Sequence, residues 1–206
     1  MTVKPCAFCN APAQYRDRTT GHYLCLEHAR LDVIAAGRRE SGPPLTIRPA
    51  SPADYPRIEE LSLYFWDETV VDCLDRQYNV MACPAYLACD GDRVVGAAPF
   101  AIEDAWDAIV LVMLNVLPGY QGRGGGRSLL DAVRKEARRR DLARLLVVTT
   151  NDDLPALALY QRYGFRIIEI LPGRVAADHG SAFAGFAGIP VRDEIRLEYQ
   201  LPAKGV

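Results

Sequence analysis

Apolar and polar positions follow two rhythms along this chain. Pro84 to Cys89 and Arg93 to Ile102 are apolar runs joined by Asp90-Gly91-Asp92, which predicts a β-hairpin. A third run, Ala108 to Val116, predicts a long strand, and Arg144 to Val148, Phe165 to Ile170 and Glu194 to Leu201 predict three more. Between Arg127 and Arg140 the period lengthens. Leu129, Leu130, Val133 and Ala137 share one face there, while Arg134, Lys135, Glu136 and Arg138 lie elsewhere, so this is an amphipathic helix. Pro52 to Asp54 suits a helix start, giving helices near Pro52 to Tyr64 and Glu68 to Tyr78. Strands interleaved with helices place the chain in the α/β (α+β) class. The stretch Pro172 to Pro190 is rich in small residues and is expected to be a loop, either a flap near a substrate or a surface excursion.

A chain of 206 residues allows one ordinary domain and a small appendage. Half of the residues are hydrophobic and a net charge of −2 gives no strong pull toward nucleic acid or an anionic membrane. Arg138-Arg139-Arg140 closes a helix, where positive charge suits the dipole. Met1 to Cys9 has no apolar signal-peptide core and no run is long enough to span a membrane, so the expected location is the cytoplasm. Cys73, Cys83 and Cys89 have no motif spacing and read as small buried hydrophobes in a reducing compartment.

Residues 1–40 differ from the rest. Cys6-x-x-Cys9 and Cys25-x-x-His28 present two pairs of ligands suited to tetrahedral zinc, with His22 as a substitute for His28. A segment this short cannot bury enough apolar surface to fold alone, and metal binding supplies the missing stability. Four protein ligands leave no open position, so the zinc would be structural. Coincidental pairs or redox-active thiols are the other reading. Phe8, Tyr15, Tyr23 and Leu24 offer a minimal core, and Ala29 to Ala36 reads as helical. Gly37 to Pro44 reads as a linker, and a second domain, 45–206, follows.

The chemistry concentrates at Gln121-Gly122-Arg123-Gly124-Gly125-Gly126, between the third apolar run and the amphipathic helix. Amides at a helix start lack intrahelical partners and carry partial positive charge, and glycine lets a phosphate come close. Arg123 and Arg127 add cations. No Lys-Ser or Lys-Thr pair follows the glycines, so this is not a P-loop, and the spacing is wrong for a dinucleotide fingerprint. Gln121, Gly124 and Gly126 fit Q-x-x-G-x-G, which resembles the acetyl-CoA pyrophosphate loop of the GNAT superfamily of N-acetyltransferases. Leu114-Asn115-Val116-Leu117-Pro118-Gly119-Tyr120 is similar to the family's central strand end. Asn151 to Phe165, with Tyr160 before Gly164-Phe165, is similar to its second cofactor region, and Leu45 to Ala50 resembles its first strand.

The resemblance implies a mixed, splayed central sheet flanked by helices and acetyl transfer from acetyl-CoA, as cosubstrate, to a primary amine of a small molecule or peptide. It implies cofactor contacts at Leu114, Asn115, Val116, Gln121, Gly122, Arg123, Gly124, Gly125, Gly126, Arg127, Ser128 and Asn151. The Val116 N–H would stabilise the oxyanion and Tyr160 would protonate the departing thiolate, or else pack with Phe165. Asn151 would bond the cofactor or cap the next helix. No carboxylate lies on Ile109 to Leu114; Asp67, Glu68, Glu103, Asp104 and Asp107 are unranked candidates for a base. That gap leaves a second reading open, an acyl-CoA-binding regulator whose zinc module contacts a protein or nucleic acid.

Overall fold

The computed structural model describes residues 4, 5, 11–13, 15, 16, 23, 24, 42–179 and 183–202. Cys6, Cys9, His22, Cys25, His28 and the stretch 29–36 lie outside the described residues. Two short strands, β1 (Tyr15–Arg16) and β2 (Tyr23–Leu24), precede β3 (Thr46–Pro49), α1 (Tyr55–Trp66), β4 (Val70–Cys73) and β5 (Arg76–Asn79). Then come β6 (Ala85–Asp90), β7 (Arg93–Glu103), β8 (Ala108–Leu111), β9 (Asn115–Val116) and α2 (Gly125–Arg139). The chain ends with β10 (Arg144–Thr150), α3 (Leu154–Tyr163), β11 (Arg166–Leu171), α4 (Arg174–His179), β12 (Phe183–Ala184), β13 (Pro190–Val191) and β14 (Glu194–Gln200).

The main sheet has the order β11-β14-β10-β8-β7-β6-β3, with β9 paired to β7. Only β8 and β10 run parallel; the other pairs are antiparallel, so the sheet is mixed. Period-2 alternation sends side chains to two cores. Ile109, Leu111, Leu145 and Val147 meet Leu129, Leu130 and Val133 of α2 on one face. Val110, Val112 and Leu146 meet Ile58, Leu61 and Phe65 of α1 on the other. Each fully buried aliphatic side chain contributes about 1.5–3 kcal/mol, so both helices are anchored mainly by these stripes.

The expected strand over Ala108 to Val116 is broken. The amides of Val112 and Met113 both donate to the Pro99 carbonyl, at 3.0 and 3.3 Å, and this bulge ends β8. Beyond it β9 stays with β7, whereas β10 runs on to Thr150 with no partner on that side among the described residues. The sheet therefore splays open between β9 and the end of β10.

Two expectations are corrected. Residues 68–78 are not helical: β4 and β5 form a separate hairpin in which Val70 pairs with Asn79 and Cys73 with Arg76. Leu74 and Asp75 turn it with φ of 55° and 61°. The described residues of 172–190 are not all loop. They carry α4, and β12 and β13 extend the β1–β2 pair into a four-stranded sheet. Through this sheet the described N-terminal residues pair with the 183–191 segment. The Tyr23 hydroxyl also donates to the Asp67 carboxylate at 3.0 Å.

Candidate active site

The splay is the mouth of a cavity of about 510 Å³ that reaches from the start of α2 to the hairpin. At one end lies the glycine loop. Gly122 and Gly124 have φ of 78° and 83°, conformations that glycine adopts without strain. Gly124 is the N-cap of α2, and Ser128 makes the first intrahelical bond back to it, at 3.0 Å. The amides of Gly125, Gly126 and Arg127 thus precede the ladder, and no acidic residue occupies the first turn. A Cβ on Gly125 would come within 2.8 Å of Leu45 Cδ1, so a side chain there would push the helix start off the sheet. Arg127 lines this end with its guanidinium 5.8 Å from the Tyr163 ring centre, and it has no carboxylate partner among the described residues.

Three expected contacts are placed elsewhere. The Arg123 guanidinium is buried against the Asp90 carboxylate at 2.7 Å and the Pro43 carbonyl at 2.8 Å, so it ties the loop to the β6–β7 turn. The Ser128 side chain faces a different groove, beside Ile47 and Tyr86. Asn151 neither lines the cavity nor caps α3. Its side-chain oxygen accepts from the amides of Arg192 and Asp193, at 2.8 and 2.9 Å, and Asp153 caps the helix instead.

The middle of the cavity is β9. The Leu117 amide donates to the Val95 carbonyl at 2.8 Å, and strand alternation then turns the Val116 N–H away from β7 toward the open side. The Val116 carbonyl on that side accepts from Gln121 Nε2 at 2.9 Å, so Gln121 braces the strand end rather than presenting its amide to a ligand. Asn115 is buried. With its amide oxygen toward α1 it accepts from the Trp66 indole N–H at 2.8 Å and donates to the Leu114 carbonyl at 2.8 Å.

Tyr160 faces β9 across the cavity. Its ring packs on Phe165 at 5.4 Å, and its hydroxyl has no hydrogen-bond partner among the described residues. The packing on Phe165 is thus present, and the residue also lines the cavity. Burial pushes the phenol well above its ordinary range, with Asp153 and Cys73 adding to the shift, so the group is a neutral donor throughout the working range.

The far end is formed by α1, the hairpin, the end of β10, α4 and β14. Burial, then the charge of Glu194, pushes the Cys73 thiol up to about 12, which keeps it protonated and unsuited to act as a nucleophile. Of the carboxylates considered as bases, Glu103 is held by Arg76 and Tyr78, and Asp107 accepts from the Ala143 amide at 3.1 Å. Glu68 does line the cavity. Glu194 was absent from that set, yet it is buried and lines the cavity beside Thr150, its partner across β10–β14. Nothing in the local sequence marks it; only the pairing of the last strand with β10 brings it there.

The sequence profile described as Acetyltransferase (GNAT) family matches residues 48–165. The chain is 28% identical over 116 residues to the uncharacterized protein YxbD of Bacillus subtilis, covering 54% of this chain and 70% of that one. It is 32% identical over 91 residues to a mycothiol acetyltransferase of Geodermatophilus obscurus, covering 39% of this chain and 28% of that one. A GNAT family acetyltransferase from Elizabethkingia anophelis, solved with acetyl-CoA bound, superposes with a TM-score of 0.59 at 24% identity, over 76% of this chain and 98% of that one. Splayed sheet, glycine-started helix and profile match agree, and the chain belongs to the GNAT acetyltransferase family.

Proposed function

We propose that the protein is an acetyl-CoA-dependent N-acetyltransferase that transfers the acetyl group directly to a primary amine. The observation that carries this reading is one continuous cavity joining the amides at the start of α2, the open edge of β9 and the Tyr160 hydroxyl. The diphosphate of the coenzyme would rest on the amides of Gly125, Gly126 and Arg127, with the Arg127 guanidinium beside it. The pantetheine arm would pair with the exposed edge of β9, as an extended chain does with a free strand. The acetyl-CoA bound in the Elizabethkingia protein supports the same ligand here.

In the reaction an acceptor ammonium first loses one proton. The amine lone pair then attacks the thioester carbonyl, and the Val116 N–H receives the charge that develops on oxygen, a contribution of about 3 kcal/mol for one such donor. The tetrahedral intermediate collapses with cleavage of the C–S bond. The amide nitrogen then sheds its second proton; both protons pass to solvent, and the thiolate, held by the Tyr160 hydroxyl, is protonated from it and leaves as CoA-SH. A thiol has a pKa of roughly 8.5 and the phenol lies well above it, so Tyr160 stabilises the departing sulfur by a hydrogen bond more than by full transfer of its proton. A protonated Cys73 speaks for direct attack rather than an acetyl-enzyme. The regulator reading rested on the lack of a carboxylate on the central strand, and Glu194 supplies a buried one from the opposite side.

Calorimetry with acetyl-CoA, followed by an acetylation screen read by thiol release, is the test. Tyr160→Phe is expected to lower kcat about 100-fold with the acetyl-CoA Kd unchanged. Undiminished turnover rejects its role at sulfur, and no coenzyme binding rejects the whole reading. For the N-terminal residues, Cys6, Cys9, Cys25 and His28 are proposed as a structural zinc site that stabilises the segment or recruits the acceptor. Purified protein without zinc would reject that site.

A further inference from the structure

The far end of the cavity is lined by three carboxylates from separate segments, Glu68, Asp72 and Glu194, and by no cation among the described residues. Glu194 opens β14 and is 8% exposed. One of its oxygens accepts from Arg196 Nε at 2.6 Å; the other has no partner among the described residues. Arg196 does not neutralise it, because the same guanidinium also serves Asp75 at 2.8 Å and Glu169 at 3.0 Å. Even with Arg174, 3.1 Å from Asp75, two guanidiniums face three carboxylates. The unpartnered oxygen of Glu194 keeps access to solvent and is therefore open to a cation entering the cavity. The second carboxylate is Asp72 on β4, which lines the cavity and has no ion-pair partner among the described residues. Among the described residues the one cation lining the cavity, Arg127, sits at the glycine-loop end. Val71, Val175 and Trp66 add apolar wall to the cavity.

Resting on the acetyltransferase reading above, we infer that the acceptor is a short aliphatic amine with a second positive charge, its reacting ammonium seated against Glu194 and its distal cation toward Asp72. The same volume has to take the pantetheine arm, which limits the acceptor to a short chain. Methylenes suit the apolar wall. A carboxylate at the far end of the acceptor would meet Asp72 and be rejected by like charge.

Three amines of matched length separate the terms: 1,4-diaminobutane, n-butylamine and 4-aminobutanoate carry a distal cation, no charge and a distal anion. Each is titrated into the full-length protein loaded with CoA, and kcat/KM is measured in parallel with acetyl-CoA. The diamine is expected to bind about fivefold more tightly than butylamine, the effect of one partly screened charge pair, and 4-aminobutanoate about fivefold more weakly. Asp72→Asn, at an exposed position, should shrink the ratio of diamine to butylamine toward one. Glu194→Gln should weaken all three amines while leaving the Kd of acetyl-CoA in place. Equal binding of the three, no binding of any, preference for 4-aminobutanoate, or an unchanged ratio in Asp72→Asn overturns the inference. Diamine binding without turnover upholds this acceptor class and rejects the transfer reaction. Loss of acetyl-CoA binding in the parent protein strikes the underlying reading instead.

Discussion

Gly96→Ala tests whether the position of β9 governs the reaction. Gly96 faces Val116 across the β7–β9 pair, and on its other side Ala88 of β6 holds it in the sheet. An added Cβ would lie 2.6 Å from the Asn115 carbonyl oxygen, 3.0 Å from Val116 Cγ2 and 3.2 Å from Val116 Cα. The nearest contact is about 0.8 Å short of ordinary van der Waals distance, and two of the three atoms are backbone. With β7 held from behind, β9 must yield. Overpacking of this kind costs about 2 kcal/mol, equivalent to a fall in Tm of about 4–8 °C for a domain of this size. The shift also moves the Val116 N–H, and since a misplacement of about 1 Å costs on the order of 100-fold, kcat/KM should fall by roughly 30-fold. Thermal melting and a thiol-release assay with saturating amine measure the two effects. A variant that melts with the parent and turns over at the parental rate refutes the reasoning.

Arg123→Ala and Asp90→Asn discriminate between a latch and a direct phosphate contact. As partners in a latch, both should weaken acetyl-CoA binding about threefold to tenfold, in the same direction, by calorimetry. If Arg123 instead grips phosphate, Asp90→Asn frees it and tightens binding, which would refute the latch. Glu136 is held near a pKa of about 2, chiefly by the Arg139 guanidinium and then by Arg140. Its folded pKa is depressed, so its contribution is complete above about pH 4.5 and is lost as pH falls toward 2. The guanidiniums are largely in solvent, which limits the effect to about 1 kcal/mol. Urea unfolding of Glu136→Gln should show that deficit at pH 7 and a shrinking one at pH 3; a constant deficit would contradict the linkage.

The sheet and the coenzyme end were readable because their signals are local. Leu129, Leu130 and Val133 recur at helical spacing, Asp90-Gly91-Asp92 marks its hairpin, and the glycines announce the start of α2. The region around 68–78 was misread because Val71, Leu74 and Tyr78 also fall at helical spacing. Two facts decided against a helix: Val70-Val71 favours extended backbone, and Leu74-Asp75 adopts a left-handed turn that leucine does not advertise. The bulge at Val112 and Met113 was hidden inside a uniformly apolar run, since it depends on Pro99 of a neighbouring strand. Arg123 and Asn151 were expected at the ligand because residue type shows what a side chain can bond. Only tertiary contact shows that Asp90 and the 190–193 turn already hold them.

The two ends of the cavity differ in how the chain builds them. The glycine-loop end, the proposed coenzyme site, comes almost wholly from one contiguous stretch, β9 through α3, whereas the far end, the proposed acceptor site, is assembled from α1, the β4–β5 hairpin, α4 and β14. The hairpin is a sheet of its own, clasped at its tip by Asp75. Under the proposed function, changes confined to it would retune which amine is accepted while thioester handling stays intact. Within such a layout new specificities can evolve, or be grafted, as an exchange of one ten-residue flap.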